Sequence, residues 1–237
     1  VDSVAELISI RDDIEQQLSG IDDSDDLLSE LKKKVADSKA VCIKKANALS
    51  ELRKKAAKET EKEMKARLMP LGMPNVRFIV DIKDKELSNN GKDNVVFLFS
   101  ANKSTYPQPV SEVASGGEIA RVMLSLKALI SGVAGLPTII FDEIDTGVSG
   151  AIASKMAQVM KEMADAGQQV ISITHLPQIA AEGVAHYKVE KSETSKGTTS
   201  QMRRLTEEQR VREIAGMLSG DNITEAALQN ARELLNC

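Results

Sequence analysis

Two short apolar runs, each followed by residues that can do chemistry, constrain this sequence most. Residues 138–141 lead into Asp142 and Glu143, and residues 169–174 lead into His175. A run without charged side chains is typical of a central parallel strand buried on both faces, and the segment between the runs is long enough for the helix that parallel strands require. We therefore predict an α/β fold. Ligands bind at the carboxyl ends of such strands, which is where the two carboxylates and the histidine would lie.

Asp142 and Glu143 can have separate tasks because adjacent residues at a strand end point in different directions. One carboxylate can hold a hydrated Mg²⁺ while the other orients an attacking water as a general base. Two acidic caps at the start of an ordinary loop, and a structural role for His175, are alternatives that the residues alone leave open. A metal-dependent nuclease is a further alternative. It requires more converging carboxylates, and Asp145 is the only close addition in the sequence.

A second candidate site lies at the start of a predicted helix, in the segment Ser115-Gly116-Gly117-Glu118. Ser-x-x-Glu before an apolar periodic stretch is a capping box. Two consecutive glycines also leave the first backbone amides of the helix uncovered, and together with the helix dipole these amides form an anion site. Both interpretations stay open. The second predicts a bound phosphate with Ser115 as its one side-chain contact.

Residues 1–67 differ from the rest of the chain in charge and periodicity. Residues 1–30 carry ten acidic and one basic residue, a net charge of −9, whereas residues 31–67 carry thirteen basic and five acidic residues, a net charge of +8. Apolar residues recur at spacings of three and four, as in a coiled-coil seam. Gly20 and the acidic N-cap candidates after it predict a turn. We expect a helix-turn-helix arm that needs a partner strand, and a separate domain over residues 68–237.

Whole-chain properties exclude several classes of protein. Blocks of like charge are typical of solvated helix faces as well as of nucleic-acid patches, and the net charge of −4 with only six aromatic residues argues against a base-stacking platform. Two cysteines far apart predict no disulfide framework and a reducing, cytoplasmic setting. The apolar stretch 122–141 is interrupted by Lys127 and by glycines and a proline, so we predict no membrane span.

The second domain is predicted to begin with strands. Pro70 and Pro74 end the preceding helix. The alternating segment 76–82 and the apolar run 95–99, joined by turn residues 88–93, predict a β-hairpin. Five further elements are predicted: a helix over 150–166, strands over 187–190 and 198–205, and helices opening at Thr206 and Ile223.

The order and spacing of the candidate segments resemble the second half of an ABC-type ATPase head. Ser115 to Glu118 resembles its signature motif, Asp142 and Glu143 with their strand resemble Walker B, and His175 resembles the switch histidine. The strings VASGGEIARVMLSLKAL, TIIFDEIDTGVSG and ITHLPQIAA are similar to the RecN family of bacterial DNA repair ATPases, relatives of the SMC proteins. The resemblance runs from about residue 45 to the end, and the arm before it fits by pattern.

This resemblance implies the carboxyl-terminal lobe of an ABC-type ATPase head, a mostly parallel sheet flanked by helices with a β-hairpin, plus part of an antiparallel coiled-coil arm. It implies that two heads form a homodimer around two ATP molecules. Asp142 would hold Mg²⁺, Glu143 would polarise the attacking water and His175 would contact the γ-phosphate. The residues implied in ATP binding are Ser115, Gly116, Gly117, Glu118 and Ser149, the last standing where SMC-like heads have a D-loop aspartate.

The resemblance also implies recombinational repair of DNA double-strand breaks by an SOS-linked, nucleoid-associated protein of the bacterial cytoplasm, with DNA as a partner. No segment matches the phosphate-cradling Gly-x-x-x-x-Gly-Lys-Ser/Thr, since the only Gly-Lys pair, Gly91-Lys92, is followed by Asp93. Because the chain begins at Val1, we expect the carboxyl-terminal part of a longer protein, inactive without its amino-terminal lobe. The alternative is a non-catalytic coiled-coil module that binds DNA or protein through the basic helix 32–67.

Overall fold

The computed structural model describes residues 3–112, 116–148, 150–194, 197–220 and 222–236. The helices are α1 (Val4–Leu68), α2 (Gly116–Ala134), α3 (Gly150–Asp165), α4 (Pro177–Ala181), α5 (Glu207–Ser219) and α6 (Glu225–Leu235), and a 3₁₀ turn covers Val110–Glu112. The strands are β1 (Arg77–Ser88), β2 (Gly91–Ser100), β3 (Gln108–Pro109), β4 (Thr138–Asp142), β5 (Gln169–Ile173), β6 (Tyr187–Thr194) and β7 (Gly197–Arg204).

The chain divides into two compact units. The first comprises Val1–Ala56 and Ile82–Val95, and the second comprises Ala57–Asp81 and Val96–Cys237. The boundary therefore falls inside α1 and inside the β1–β2 hairpin rather than at residue 67. The division of the protein into a coiled-coil arm (1–67) and an ATPase lobe (68–237) stays a prediction.

The predicted turn near Gly20 is wrong, because α1 is one helix of 65 residues that continues through this segment. A single glycine inside a helix costs only about 1 kcal/mol relative to alanine, and the helix contains no proline that would remove a backbone hydrogen bond. The glycine and the acidic residues after it are therefore too weak a signal to end a helix that is otherwise rich in helix-forming residues.

In the first unit, an ion pair joins α1 to the tip of the hairpin. The Arg53 guanidinium donates to Asp93 at 2.9 Å and to the backbone oxygen of Asn90 at 2.9 Å. The Asp93 side chain is only 1% exposed. Its hydrogen bond from Arg53 holds the pKa of the Asp93 carboxyl below its ordinary value. The hairpin itself confirms the predicted one, with Asn89 and Asn90 as its two-residue turn.

The second unit contains three buried clusters of apolar side chains. One joins the end of α1 to β1, β2 and α2 through Met64, Leu68, Phe78, Phe99 and Val122. Another lies between the β4–β5 sheet and helices α2, α3 and α4. The third packs α4, α5 and α6 together. The cluster between the β4–β5 sheet and the helices includes Ile139 and Phe141 and so positions the strand ends that carry the candidate site.

Strands β4 and β5 form a parallel two-stranded sheet, as predicted, with Asp142 paired in register with Ile173. The prediction that β4 is buried on both faces is wrong. Phe141 is fully buried, whereas Ile140 is 55% exposed and Ile173 is 53% exposed. In the described part of the chain the helices cover one face of this sheet and leave the other open.

The remaining elements follow the sequence closely. Strands β6 and β7 confirm the two predicted strands and pair antiparallel with each other. Thr206 caps α5 in a capping box, in which its side chain accepts from the Gln209 amide and the Gln209 side chain accepts from the Thr206 amide. The short helix α4 and strand β3 were not predicted. No helix in the described ranges has the length and apolar character needed to cross a membrane.

Candidate functional site

The carboxyl ends of β4 and β5 bring the predicted catalytic residues to one edge of the parallel sheet. Asp142 is the last residue of β4, and the next amide, that of Glu143, donates to the backbone oxygen of Ile173 at 3.2 Å. His175 follows two residues after the end of β5. The side chains of Asp142, Glu143 and His175 are all exposed at this edge, so they are accessible to a ligand.

Glu143 has an unusual backbone conformation. Its φ is +48°, in the left-handed region that non-glycine residues seldom adopt. Its carbonyl oxygen accepts from the Thr146 amide at 3.4 Å and from the Thr146 hydroxyl at 3.0 Å, and these bonds hold the turn. Strained residues of this kind concentrate at functional sites, where the surrounding structure compensates for the strain.

Asp145 links the loop after β4 to the loop after β5. It is 1% exposed, and its Oδ2 accepts from the Thr174 hydroxyl and from the His175 amide, the latter at 3.1 Å. The same Oδ2 lies 3.3 Å from Nδ1 of His175. Asp145 therefore fixes the backbone that carries the histidine, while the imidazole itself remains 66% exposed.

The first turn of α2 lies directly against the loop that follows β4. Gly117 is buried, and a Cβ atom placed on it would come within 3.1 Å of the backbone oxygen of Gly147. Gly147 itself has φ +72°. The Arg121 side chain supports this turn by donating to the oxygen of Gly117 at 3.1 Å and to that of Leu71 at 3.1 Å. The close approach therefore favours glycine at position 117, because a Cβ there would press on the Gly147 backbone.

Of the other residues predicted to bind ATP, the structure describes Gly116 and Glu118 but not Ser115 and Ser149. Gly116 begins α2 and has open space where a side chain would be, and Glu118 is half-buried in the first turn. Ser115 and Ser149 lie outside the described residues, so the capping box with Ser115 and the D-loop position of Ser149 stay predictions.

The residues at the sheet edge fit a magnesium ion that is held mainly by water and phosphate. Within the described ranges, no three His, Cys, Asp or Glu side chains cluster closely enough to form a protein-only metal site. Mg²⁺ is commonly bound by one or two carboxylates together with waters and substrate phosphates. An exposed Asp142 at the end of a strand suits that mode.

The site also contains residues that sequence reasoning missed. Asp145 was considered only as an extra carboxylate near Asp142, and neither Thr174 nor Arg121 was assigned any role. The sequence shows an acidic residue at position 145, but burial and hydrogen bonding arise from the packing of two loops that are 29 residues apart. The run Asp-Glu-x-Asp was the one available signal, since it places a third carboxylate close to the strand end.

Comparison with curated proteins places these features in a family, although no protein-family model matches the chain. The DNA repair protein RecN of Halalkalibacterium halodurans is 36% identical over 240 residues, covering 99% of this chain and 42% of that protein. RecN of Deinococcus radiodurans is 39% identical over 221 residues, covering 93% and 38%. RecN of Bacillus subtilis is 34% identical over 250 residues, covering 98% and 43%. The chain thus spans about two fifths of the length of these relatives.

Solved structures support the same fold. The Smc head domain with a coiled coil and joint from Pyrococcus yayanosii matches with a TM-score of 0.53 at 20% identity, covering 89% of this chain and 35% of that one. A chain studied for ATP-driven dimerization and DNA-stimulated activation of SMC ATPases matches with a TM-score of 0.50 at 17% identity, covering 73% of this chain and 99% of that one. The α/β fold is that of an SMC-type ATPase head. Together with the identity to RecN proteins along most of its length, this fold shows that the chain belongs to the RecN family of DNA repair proteins.

Proposed function

We propose that this chain is the carboxyl-terminal lobe of a RecN-type ATPase head, which acts in recombinational repair of DNA double-strand breaks. The observation that carries the proposal is the strand-end edge, where Asp142, Glu143 and His175 are exposed together beside a backbone loop packed on the first turn of α2. RecN relatives named as DNA repair proteins and an SMC-head fold support it. Association with the nucleoid and with the SOS response belongs to the same proposal.

Each residue at the edge has a distinct task in ATP hydrolysis. Asp142 holds Mg²⁺, which, when bound, neutralises charge on the phosphates. Glu143 orients the attacking water and accepts its proton, and its backbone turn is held by the Thr146 hydroxyl. His175 binds the γ-phosphate from the other strand. Phosphoryl transfer depends mainly on such positioning and electrostatics, so these groups suffice only when all are aligned.

The first turn of α2 contacts a second ATP molecule, separate from the one at the edge of the β4–β5 sheet. The amides at the start of a helix have no partner inside the helix, and they suit an anion such as the γ-phosphate. Gly116 leaves these amides accessible, because no atom lies within 4 Å of the position its side chain would take. Ser115, Gly117, Glu118 and Ser149 complete this contact with ATP held by a second head. Hydrolysis then requires a homodimer.

The open face of the β4–β5 sheet is the contact surface for the missing amino-terminal lobe. Ile140, Ile171 and Ile173 expose 55%, 41% and 53% of their surfaces on this face. Three exposed isoleucines on one face of a parallel sheet are expected to be covered, since such sheets are usually buried on both sides. The RecN relatives are more than twice as long as this chain, which leaves ample sequence for a covering lobe.

Substitution of Glu143 tests the catalytic assignment. The 237-residue chain alone should hydrolyse no ATP above background, and a protein in which an amino-terminal RecN lobe is joined to it should hydrolyse ATP. In that protein, Glu143→Gln should lower turnover by about 10²- to 10⁴-fold, as expected for loss of a general base. The matched control is Glu208→Gln, which removes an exposed carboxylate on α5.

Two results would contradict the proposal. Retention of full turnover by Glu143→Gln would remove the general base from the mechanism. Turnover by the 237-residue chain alone, lost on Glu143→Gln, would mean that the site is complete without a second lobe.

A further inference from the structure

We propose that Asp145 is a positioning residue for His175, holding the imidazole through Nδ1 so that Nε2 faces the bound phosphate. The proposal rests on the phosphate-binding role of His175 given above and adds the group that orients it. A histidine that acts through one ring nitrogen is normally oriented by a hydrogen bond at the other.

The geometry at Asp145 is that of a carboxylate built to receive several donors. Its Oδ2 accepts from the hydroxyl of Thr174 and from the amide of His175 at 3.1 Å, and lies 3.3 Å from Nδ1 of the same histidine. The Thr174 hydroxyl in turn accepts from the Leu176 amide at 3.0 Å. One oxygen atom thus contacts two consecutive residues after β5, Thr174 and His175, and reaches Leu176 only through the Thr174 hydroxyl.

The contrast between the two side chains indicates which one orients the other. Asp145 is 1% exposed and fixed by these bonds, whereas the imidazole of His175 is 66% exposed. An exposed imidazole without a partner samples several rotamers and both neutral tautomers. An Nδ1–H···Oδ2 hydrogen bond formed across this 3.3 Å contact would select one rotamer and one tautomer.

This tautomer determines what Nε2 can do. When Nδ1 carries a proton for Asp145, Nε2 of the neutral ring accepts a hydrogen bond, and Nε2 of the charged ring donates one to a phosphate oxygen. The second oxygen of Asp145, Oδ1, is buried and has no partner among the described residues.

Nitrogen-15 NMR of the imidazole rings tests the proposal without nucleotide. The chain has two histidines, so His186 serves as an internal control. Burial lowers the pKa of His186, with the positive charge of Arg210 acting in the same direction. At alkaline pH, where both rings are neutral, His175 should be predominantly in the Nδ1–H tautomer. Asp145→Ala should shift it to a mixture of tautomers and leave the His186 resonances unchanged, and Asp145→Asn, which keeps an acceptor oxygen, should restore it in part.

Two NMR results overturn the proposal. One is a predominant Nε2–H tautomer of His175 in the unsubstituted chain, which decides the question even if Asp145→Ala does not fold. The other is an unchanged His175 spectrum in a folded Asp145→Ala variant.

A double-mutant cycle in the two-lobe protein then separates positioning from the function of the histidine. If Asp145 acts through His175, Asp145→Ala combined with His175→Ala should reduce ATP turnover no more than the stronger single substitution. Multiplied losses in the double variant would contradict positioning through the histidine. If the tautomer changes as expected but neither substitution reduces turnover, Asp145 still orients the ring, and the phosphate-binding role proposed for His175 is wrong.

Discussion

Helix α1 contains two stretches with the same kind of apolar periodicity and opposite burial. Up to residue 56, the described side chains that are buried are Ala46 and Ser50, and apolar residues such as Leu31 are about half exposed (49%). In the last turns, Met64 and Leu68 are 0% exposed. A periodic pattern identifies which helix face is apolar, but burial requires a partner for that face. The exposed seam before residue 57 is therefore the predicted contact for a second helix of a coiled-coil arm.

The largest expected effect is the difference in stability between two leucine-to-alanine substitutions, one in each stretch of α1. Leu68→Ala should lower the free energy of unfolding by about 2–5 kcal/mol, because it leaves a cavity among Met64, Phe78 and Phe99. Leu31→Ala should change it by less than about 0.5 kcal/mol, since that side chain is half exposed. Urea denaturation of both variants measures the difference.

An equal loss in both variants would break the comparison. It would mean that Leu31 is buried against a second copy of the chain in solution. In that case the denaturation midpoint should rise with protein concentration, whereas the midpoint of a monomer does not depend on concentration.

A smaller effect is expected at Asp93, a strongly buried acid of the first unit. Asp93→Asn should destabilise the protein at neutral pH, because it removes the charge that pairs with Arg53 at 2.9 Å. The folded-state pKa of Asp93 is below its ordinary value of 3.8, so its stabilising contribution is full above that value and is lost as pH falls through the lowered pKa. Denaturation at neutral pH and at a pH well below 3.8 should show the two proteins converging in acid. A constant difference at all pH values would contradict the ion-pair origin.

The smallest effect is expected for an ion pair in the exposed stretch of α1. Lys34 and Glu30 lie 2.6 Å apart at i,i+4 spacing, with 67% and 60% of their side chains exposed. Lys34→Ala should change the free energy of unfolding by about 0.5 kcal/mol or less, and salt should reduce the difference further. If the same denaturation experiment shows a loss several times larger than about 0.5 kcal/mol, ion pairs stabilise this stretch of the helix more than exposed pairs normally do.

Much of the second unit follows from local sequence patterns. The parallel strands, the hairpins and the Thr206 capping box were predictable because alternation, turn residues and cap residues act over a few positions. The two wrong predictions, burial of β4 on both faces and a helix end at Gly20, depend on information that a local sequence pattern does not contain. The apolar run of β4 predicted burial on both faces, but Ile140 is open because nothing in the described chain covers it. Gly20 predicted a helix end, but the small cost of one glycine is outweighed by the helix-forming residues around it.

The candidate site was predictable in its strand-end positions and unpredictable in its connections. Asp142, Glu143 and His175 are placed by strand register, which the sequence indicates. The hydrogen bonds of Asp145 to Thr174 and His175 depend on how two separate loops pack, and one sequence carries no direct signal for that contact. The left-handed conformation of Glu143 is likewise invisible in composition, since glutamate has no preference for it.

The contact between Gly117 and Gly147 has a mechanical consequence. Backbone meets backbone there with no side chain between, so a displacement of one cannot be absorbed by a change of rotamer in the other. Any shift of the loop that follows Glu143 must be passed on as movement of the first turn of α2. The two glycines thus couple the position of the loop after β4 to the position of the first turn of α2.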